Sequence, residues 1–168
     1  MKPLTPPSRT TDGNESDEAL MERFCQGDQR AFEVLFARHA TSVHRYIARL
    51  TGHQAWADDL TQLTFISLVR SVDRFRSGAR FRPWLFAIAT NAARDRHRKD
   101  RHETVTETGT LPETAVDAVQ SDPSMQRAVA RALAQLPAPQ REAVVLHWFE
   151  GLSFAEIAEG ADVSESAV

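Results

Sequence analysis

The sequence predicts an all-α protein of two small helical domains joined by a flexible linker. Three observations predict it. Apolar residues recur at spacings of three and four along most of the chain, and strand-like alternation persists nowhere. Capping residues, glycines and prolines stand where such helices would start and stop. Residues 102–120 carry five Thr, three Glu, one Asp and one Pro with no durable period, so an acidic linker divides the chain.

Each element has its own signals. Residues 1–16 are polar and rich in Pro and Thr, which predicts a disordered tail and excludes a secretory signal. A short helix is expected after Ser16, with Asp17 and Glu18 in its first turn at the positive end of the helix dipole. Gly27 interrupts it. From about 28 to 50, Phe32, Leu35, Phe36, Val43, Tyr46, Ile47 and Leu50 form one buried stripe, and Thr51-Gly52 ends that helix. The next helix, about 54–72, carries apolar residues on more than one face, including Trp56, Leu60, Leu63, Phe65, Ile66 and Val69. Such a helix is central to a bundle or touches a partner. Residues 74–82 read as a loop. Pro83 suits the first turn of a third long helix, because its missing N–H has no helical partner there. Trp84, read as buried framework, Leu85, Ile88 and Ala92 face the core, and the helix runs to 101, closing a first domain of 17–101.

The second domain, 121–168, starts at Ser121-Asp122-Pro123, a cap followed by a helix-starting proline. Met125, Val129, Ala132, Leu133 and Leu136 make its stripe, and residues 136–139 break it. A helix over 140–149 ends at Glu150-Gly151. Ser153 with Glu156 forms a capping box for a helix over 153–159. Gly160-Ala161-Asp162 is expected to turn, and Ser164 to open one more helix.

Charge is distributed unevenly. Residues 70–101 hold nine Arg and one Lys against three Asp, a net of +7 in a chain of −3. A basic island with interleaved aromatics in an acidic protein points to nucleic acid, since rings stack on bases while cations hold phosphates. No run of eighteen apolar residues exists, so no membrane insertion is expected. The one cysteine, Cys25, has no internal disulfide partner, which fits a reducing cytoplasm, and its apolar neighbours assign it to packing. Asp58 and Asp59 are adjacent and point about 100° apart on a helix, so they do not form a catalytic carboxylate pair. The six histidines show no i, i+4 pair and no cysteine partner at zinc spacing, and read as surface or boundary residues. No catalytic residue, metal or cofactor is expected.

Three blocks then bear on function. They are Asp58-Asp59-Leu60-Thr61-Gln62-Leu63-Thr64-Phe65; the stretch Asp73-Arg74-Phe75 through Phe81 with Trp84-Leu85, Ile88-Ala89, Asn91 and Asp95; and Leu136-Pro137, Gln140-Arg141-Glu142, Glu150-Gly151-Leu152-Ser153 and Glu156-Ile157-Ala158. In this order they resemble the extracytoplasmic-function (group 4) sigma factors of the sigma-70 family, subunits that give bacterial RNA polymerase its promoter specificity. The resemblance spans about 20–101 and 122–168.

That resemblance implies roles residue by residue. The first block would dock on the clamp helices of the polymerase β′ subunit, with Leu60 and Phe65 as apolar anchors and Asp58, Asp59 and Gln62 as polar partners; Leu63 stands where the family often has a carboxylate. The second would open the −10 element, a loop of Phe75, Arg76, Ser77 and Arg80 holding a flipped base and Asn91 completing the pocket. An amide can bond a base edge through donor and acceptor at once. Arg94, Arg96, Arg98 and Lys99 would bind promoter phosphates, giving affinity and salt dependence but little sequence choice. The third block would be a −35 helix-turn-helix, with Ser164, Glu165 and Ser166 opening the recognition helix. Residues 102–168 are net −8, a poor DNA surface, and the chain reads as truncated inside that helix. An anti-sigma factor is an implied further partner, covering the face around 58–65. The competing readings are a polymerase-independent helix-turn-helix regulator, disfavoured by the large first domain, and a helical metalloenzyme, which lacks a ligand set.

Overall fold

The computed structural model of the protein describes residues 15–104 and 123–165. Among them lie seven α-helices and one 3-10 turn. Residues 1–14 of the expected tail over 1–16, and 105–120 of the linker, fall outside the described residues.

Helix α1 (Asp17–Cys25) starts at Ser16, whose hydroxyl accepts from the Ala19 amide at 3.2 Å. Helix α2 (Gln29–Thr51) starts at Asp28, whose side chain accepts from the Arg30 amide, and ends at Gly52. Gly52 has φ of 73°, the left-handed cap that a glycine adopts without a Cβ penalty. Ala31, Leu35, His39, Val43, Tyr46, Ile47 and Leu50 of α2 are buried at spacings of four, three and one. Helix α3 (Gln54–Arg70) runs back beside it, and the 3-10 turn Val72–Arg74 leads into the loop. Helix α4 (Phe81–Thr104) begins two residues before Pro83, which therefore occupies its first turn, and extends three residues beyond the expected boundary. Phe81, Trp84, Leu85 and Phe86 drive into the centre of this bundle. The Tyr46 ring meets Phe86 edge-on, its hydroxyl bonds Thr90 Oγ1 at 2.7 Å, and burial pushes the phenol pKa well up.

Helices α5 (Pro123–Gln135), α6 (Ala138–Trp148) and α7 (Phe154–Glu165) form the second unit around Leu133, Val145, Leu146 and Leu152. The capping box at the start of α7 is made: Ser153 Oγ accepts from the Glu156 amide at 3.2 Å, and Glu156 Oε2 accepts from the Ser153 amide at 2.8 Å. The expected turn at 160–162 is corrected, because α7 runs unbroken from 154 to 165. Gly160 serves helix approach instead. A Cβ built there would lie 2.6 Å from the Pro83 carbonyl oxygen, so the missing side chain lets α7 lie directly on α4. The two units are therefore packed together, α7 on α4 and α6 against α2.

Two local expectations also change. Cys25 is exposed rather than packed, with its Sγ 3.7 Å from the Val72 carbonyl oxygen. His39 is not a surface histidine. It lies in the α2 stripe with its Nε2 2.7 Å from Asp17 Oδ2 and its ring against Phe81. Burial lowers its pKa despite the opposing charge of Asp17.

Candidate polymerase and nucleic-acid interfaces

Helix α3 separates the docking residues by face. Leu60 and Phe65 are 2% and 3% exposed, so the anchor role expected of them is corrected: they are core residues. Phe65 packs edge-on against Phe32 and Phe36. The outer face instead carries Asp59, Gln62, Leu63, Ile66 and Val69, spaced three and four apart and all exposed. Leu63 is half exposed at 50%, and Phe36 of α2 is open beside this face. Asp58 is also exposed, and its Oδ1 is 2.9 Å from His44 Nε2. The surface is an apolar strip with a carboxylate and an amide among its members, suited to a partner helix.

The −10 candidates occupy the loop and α4. Phe75 follows the 3-10 turn and is half-buried, its ring 5.0 Å from that of Trp84. Trp84 is buried as framework, and its indole Nε1 has no partner among the described residues. Arg76 and Ser77 are exposed, and Ser77 donates to Glu22 Oε1 at 3.2 Å. Gly78 turns the loop at φ of 83°. Asn91 lies on α4, seven residues or about 10 Å of helix from Trp84, partly exposed.

The cations are the less expected part. Arg94 donates its Nε to Glu142 Oε1 at 2.9 Å and its Nη2 to Oε2 at 2.5 Å. Arg80 pairs with Glu156, and Arg82 donates to the Glu150 carbonyl oxygen at 2.6 Å. Arg49 lies over the Phe149 ring, 4.5 Å from its centroid, and Arg141 donates to the Leu50 carbonyl oxygen. All five contacts join the two units. The Ser153 hydroxyl and amide, with Arg80, hold the Glu156 pKa down at about 2. Burial pushes the Glu150 carboxyl up instead, against the opposing Arg49 and Arg82 charges. Arg98 pairs with Asp95 along α4 at 2.9 Å, and Lys99 is exposed. Arg96 turns to the other side of α4, its guanidinium 5.0 Å from the centroid of the Trp56 ring.

In the second unit Ser164 and Glu165 fall in the last turn of α7, not at the start of a new helix, and Ser166 lies outside the described residues. An apolar groove of about 500 Å³ opens between α5 and α6, lined by Val129, Leu133, Leu136, Val144, Trp148 and Phe149. Among the described residues no group of three or more His, Cys, Asp or Glu could hold a metal ion, and no helix is long and apolar enough to cross a membrane. Sequence reasoning missed Glu142, Glu156 and Trp56 as partners of the basic residues. Only Glu156 carried a signal, and that signal was for a cap.

Comparison with known proteins matches this arrangement. The chain matches the Sigma-70 region 2 family over residues 35–103 and the Sigma-70, region 4 family over 126–168. It is 48% identical over 151 residues to the RNA polymerase sigma factor CarQ of Myxococcus xanthus, covering 88% of this chain and 86% of CarQ. Its fold is similar to CnrH in complex with the cytosolic domain of CnrY, with a TM-score of 0.65, 27% identity and coverage of 92% and 90%. It is also similar to the sigma factor RpoE in complex with the anti-sigma factor NepR from Bartonella quintana, with a TM-score of 0.67, 26% identity and coverage of 82% and 89%. An exposed apolar strip on α3, a basic α4 behind an aromatic loop, and both family regions in order lead to one conclusion: the chain belongs to the sigma-70 family of RNA polymerase sigma factors, in its extracytoplasmic-function group.

Proposed function

We propose that this protein is an alternative sigma factor that binds core RNA polymerase through the outer face of α3 and opens the −10 element with the loop and α4. The observation that supports this best is the co-occurrence of the region 2 and region 4 matches with the exposed strip Asp59, Gln62, Leu63, Ile66 and Val69. Phe75, Arg76, Ser77, Arg80 and Asn91 form the base-holding group, and Arg94, Arg96, Arg98 and Lys99 take phosphates. The protein acts without catalysis of its own, in the cytoplasm with the polymerase. Its regulator is an anti-sigma factor, in keeping with the complexes that CnrH and RpoE form.

The closed arrangement bears on this directly. Arg80 and Arg94 cannot hold Glu156 and Glu142 and bind promoter DNA with the same donors, so promoter binding requires the two units to separate. The test is polymerase-dependent binding to a forked promoter with a single-stranded −10 region. The chain should bind it tightly only with core polymerase, and Phe75→Ala and Asn91→Ala should lose DNA while keeping polymerase affinity. Equal duplex binding with and without polymerase would replace this reading with an independent regulator.

A further inference from the structure

Resting on the reading that the tail of α4 binds promoter phosphates, we infer that Trp56 is a positioning residue that holds Arg96 ready for one of them. The two lie on different helices, Trp56 in the first turn of α3 and Arg96 late in α4. The guanidinium stands over the indole at 5.0 Å from the ring centroid, within cation–π range. The indole is itself fixed: His53 stacks on it at 4.2 Å with planes 22° apart, and His97 meets it at 5.2 Å and 75°.

Arg96 differs from the cations around it. Arg94, Arg98 and Lys99 are exposed, and both arginines are held by carboxylates. Arg96 is partly buried, and no carboxylate pairs with it among the described residues. Its Nε is buried without a hydrogen-bond partner. Burying a guanidinium nitrogen unsatisfied costs stability, and an apolar side chain on Trp56 would avoid that cost. The arrangement serves a guanidinium that must be stiff rather than one that must be stable.

A stiff guanidinium is what phosphate capture gains from. A flexible exposed Arg or Lys gives up rotamer freedom when it closes on a phosphate, and one held over a ring has given up part of it beforehand. Contact with the ring engages none of the guanidinium N–H groups in a hydrogen bond, so its terminal N–H groups remain for a phosphate oxygen. The carboxylate-held arginines must first exchange partners, whereas Arg96 needs no exchange.

The experiment uses the full chain with core polymerase on a forked promoter duplex, titrated with salt. Arg96→Ala, Trp56→Leu, Trp56→Phe, Arg96→Lys and the Trp56→Leu/Arg96→Ala double variant are compared, with polymerase affinity and melting temperature followed in parallel. Arg96→Ala should lower the slope of log K against log salt by about 0.9, one phosphate contact. Trp56→Leu should weaken DNA binding by roughly threefold to thirtyfold, the span of a cation–π contact. Trp56→Phe should restore most of it, Arg96→Lys should not replace arginine, and the double variant should bind no worse than Arg96→Ala alone. Additive losses in the double variant, or a Trp56→Leu loss confined to melting temperature, would overturn the positioning role while unmodified binding leaves the sigma reading intact. No DNA binding by the unmodified chain with polymerase would sink both.

Discussion

Arg94 and Glu142 form a two-pronged ion pair across 48 residues of chain, with Nε–Oε1 at 2.9 Å and Nη2–Oε2 at 2.5 Å. A carboxylate in that geometry satisfies the guanidinium fork as a phosphate would. The pair fastens α6 to the helix proposed to carry promoter phosphates, so under that proposal the second unit would compete with DNA for the same donors.

Glu142→Gln should therefore loosen the closed state and free Arg94. Arg94 is more than half exposed, so the pair contributes only about 1 kcal/mol to stability after solvent screening. That corresponds to about fivefold tighter binding of the free chain to a single-stranded −10 oligonucleotide. Fluorescence anisotropy at low salt reads it, and unchanged affinity would show that the pair does not limit access.

The two faces of α3 should respond differently to substitution. Leu63→Asp and Ile66→Asp, on the exposed face, should abolish binding to core polymerase with little change in folding. Leu60→Ala and Phe65→Ala remove core side chains and should lower stability by about 2–5 kcal/mol. Urea unfolding beside a polymerase pull-down separates the two, and a stable Leu63→Asp variant that binds polymerase normally would move the docking face elsewhere.

Gly160→Ala places a Cβ 2.6 Å from the Pro83 carbonyl oxygen, against backbone that cannot swing aside. Overpacking of this kind costs about 1–3 kcal/mol, here borne by the α4–α7 contact. Small-angle scattering should report a more extended chain, with the far-ultraviolet helical signal retained. An unchanged scattering profile would show that the contact yields without opening the units.

Stability should fall with acid in two windows. His39 has a lowered pKa in the folded state, so the unfolded chain binds the extra proton first. Its contribution is complete above the ordinary histidine value of 6.5 and is lost as pH falls through that value toward the folded one. Glu156 drops from 4.5 to about 2, so its contribution is present above 4.5 and is lost as pH falls toward 2. Urea midpoints between pH 8 and 3 check this. His39→Gln should remove the upper window alone, and a midpoint flat from pH 7 to 5.5 in the unmodified chain would contradict it.

Much of the chain was legible before the structure because helices are specified locally. The α2 stripe, the Gly52 stop, the Ser16 cap and the Ser153/Glu156 box each depend on residues within four positions of one another. The faces of α3 were less legible. With apolar residues at 60, 63, 65, 66, 68 and 69, periodicity assigns the helix to the interior but does not say which side stays open, and the resemblance names Leu60 and Phe65 as anchors where the packing buries them. The glycine at 160 reads as a turn from its neighbours alone, and only Pro83, from another helix, explains it as an approach.

By itself the sequence determined an all-α chain, its helix starts and stops, the basic character of α4 and the family motifs in order, since all of these rest on residue type and short spacing. Only the tertiary structure decided that Glu142 and Glu156 close on Arg94 and Arg80, that Trp56 carries Arg96, and that Leu63 rather than Leu60 faces outward. The physical reason is range. A capping hydroxyl reaches its amide within one helical turn, whereas a guanidinium takes whichever carboxylate or ring the packed helices bring to it, and no local pattern encodes that choice.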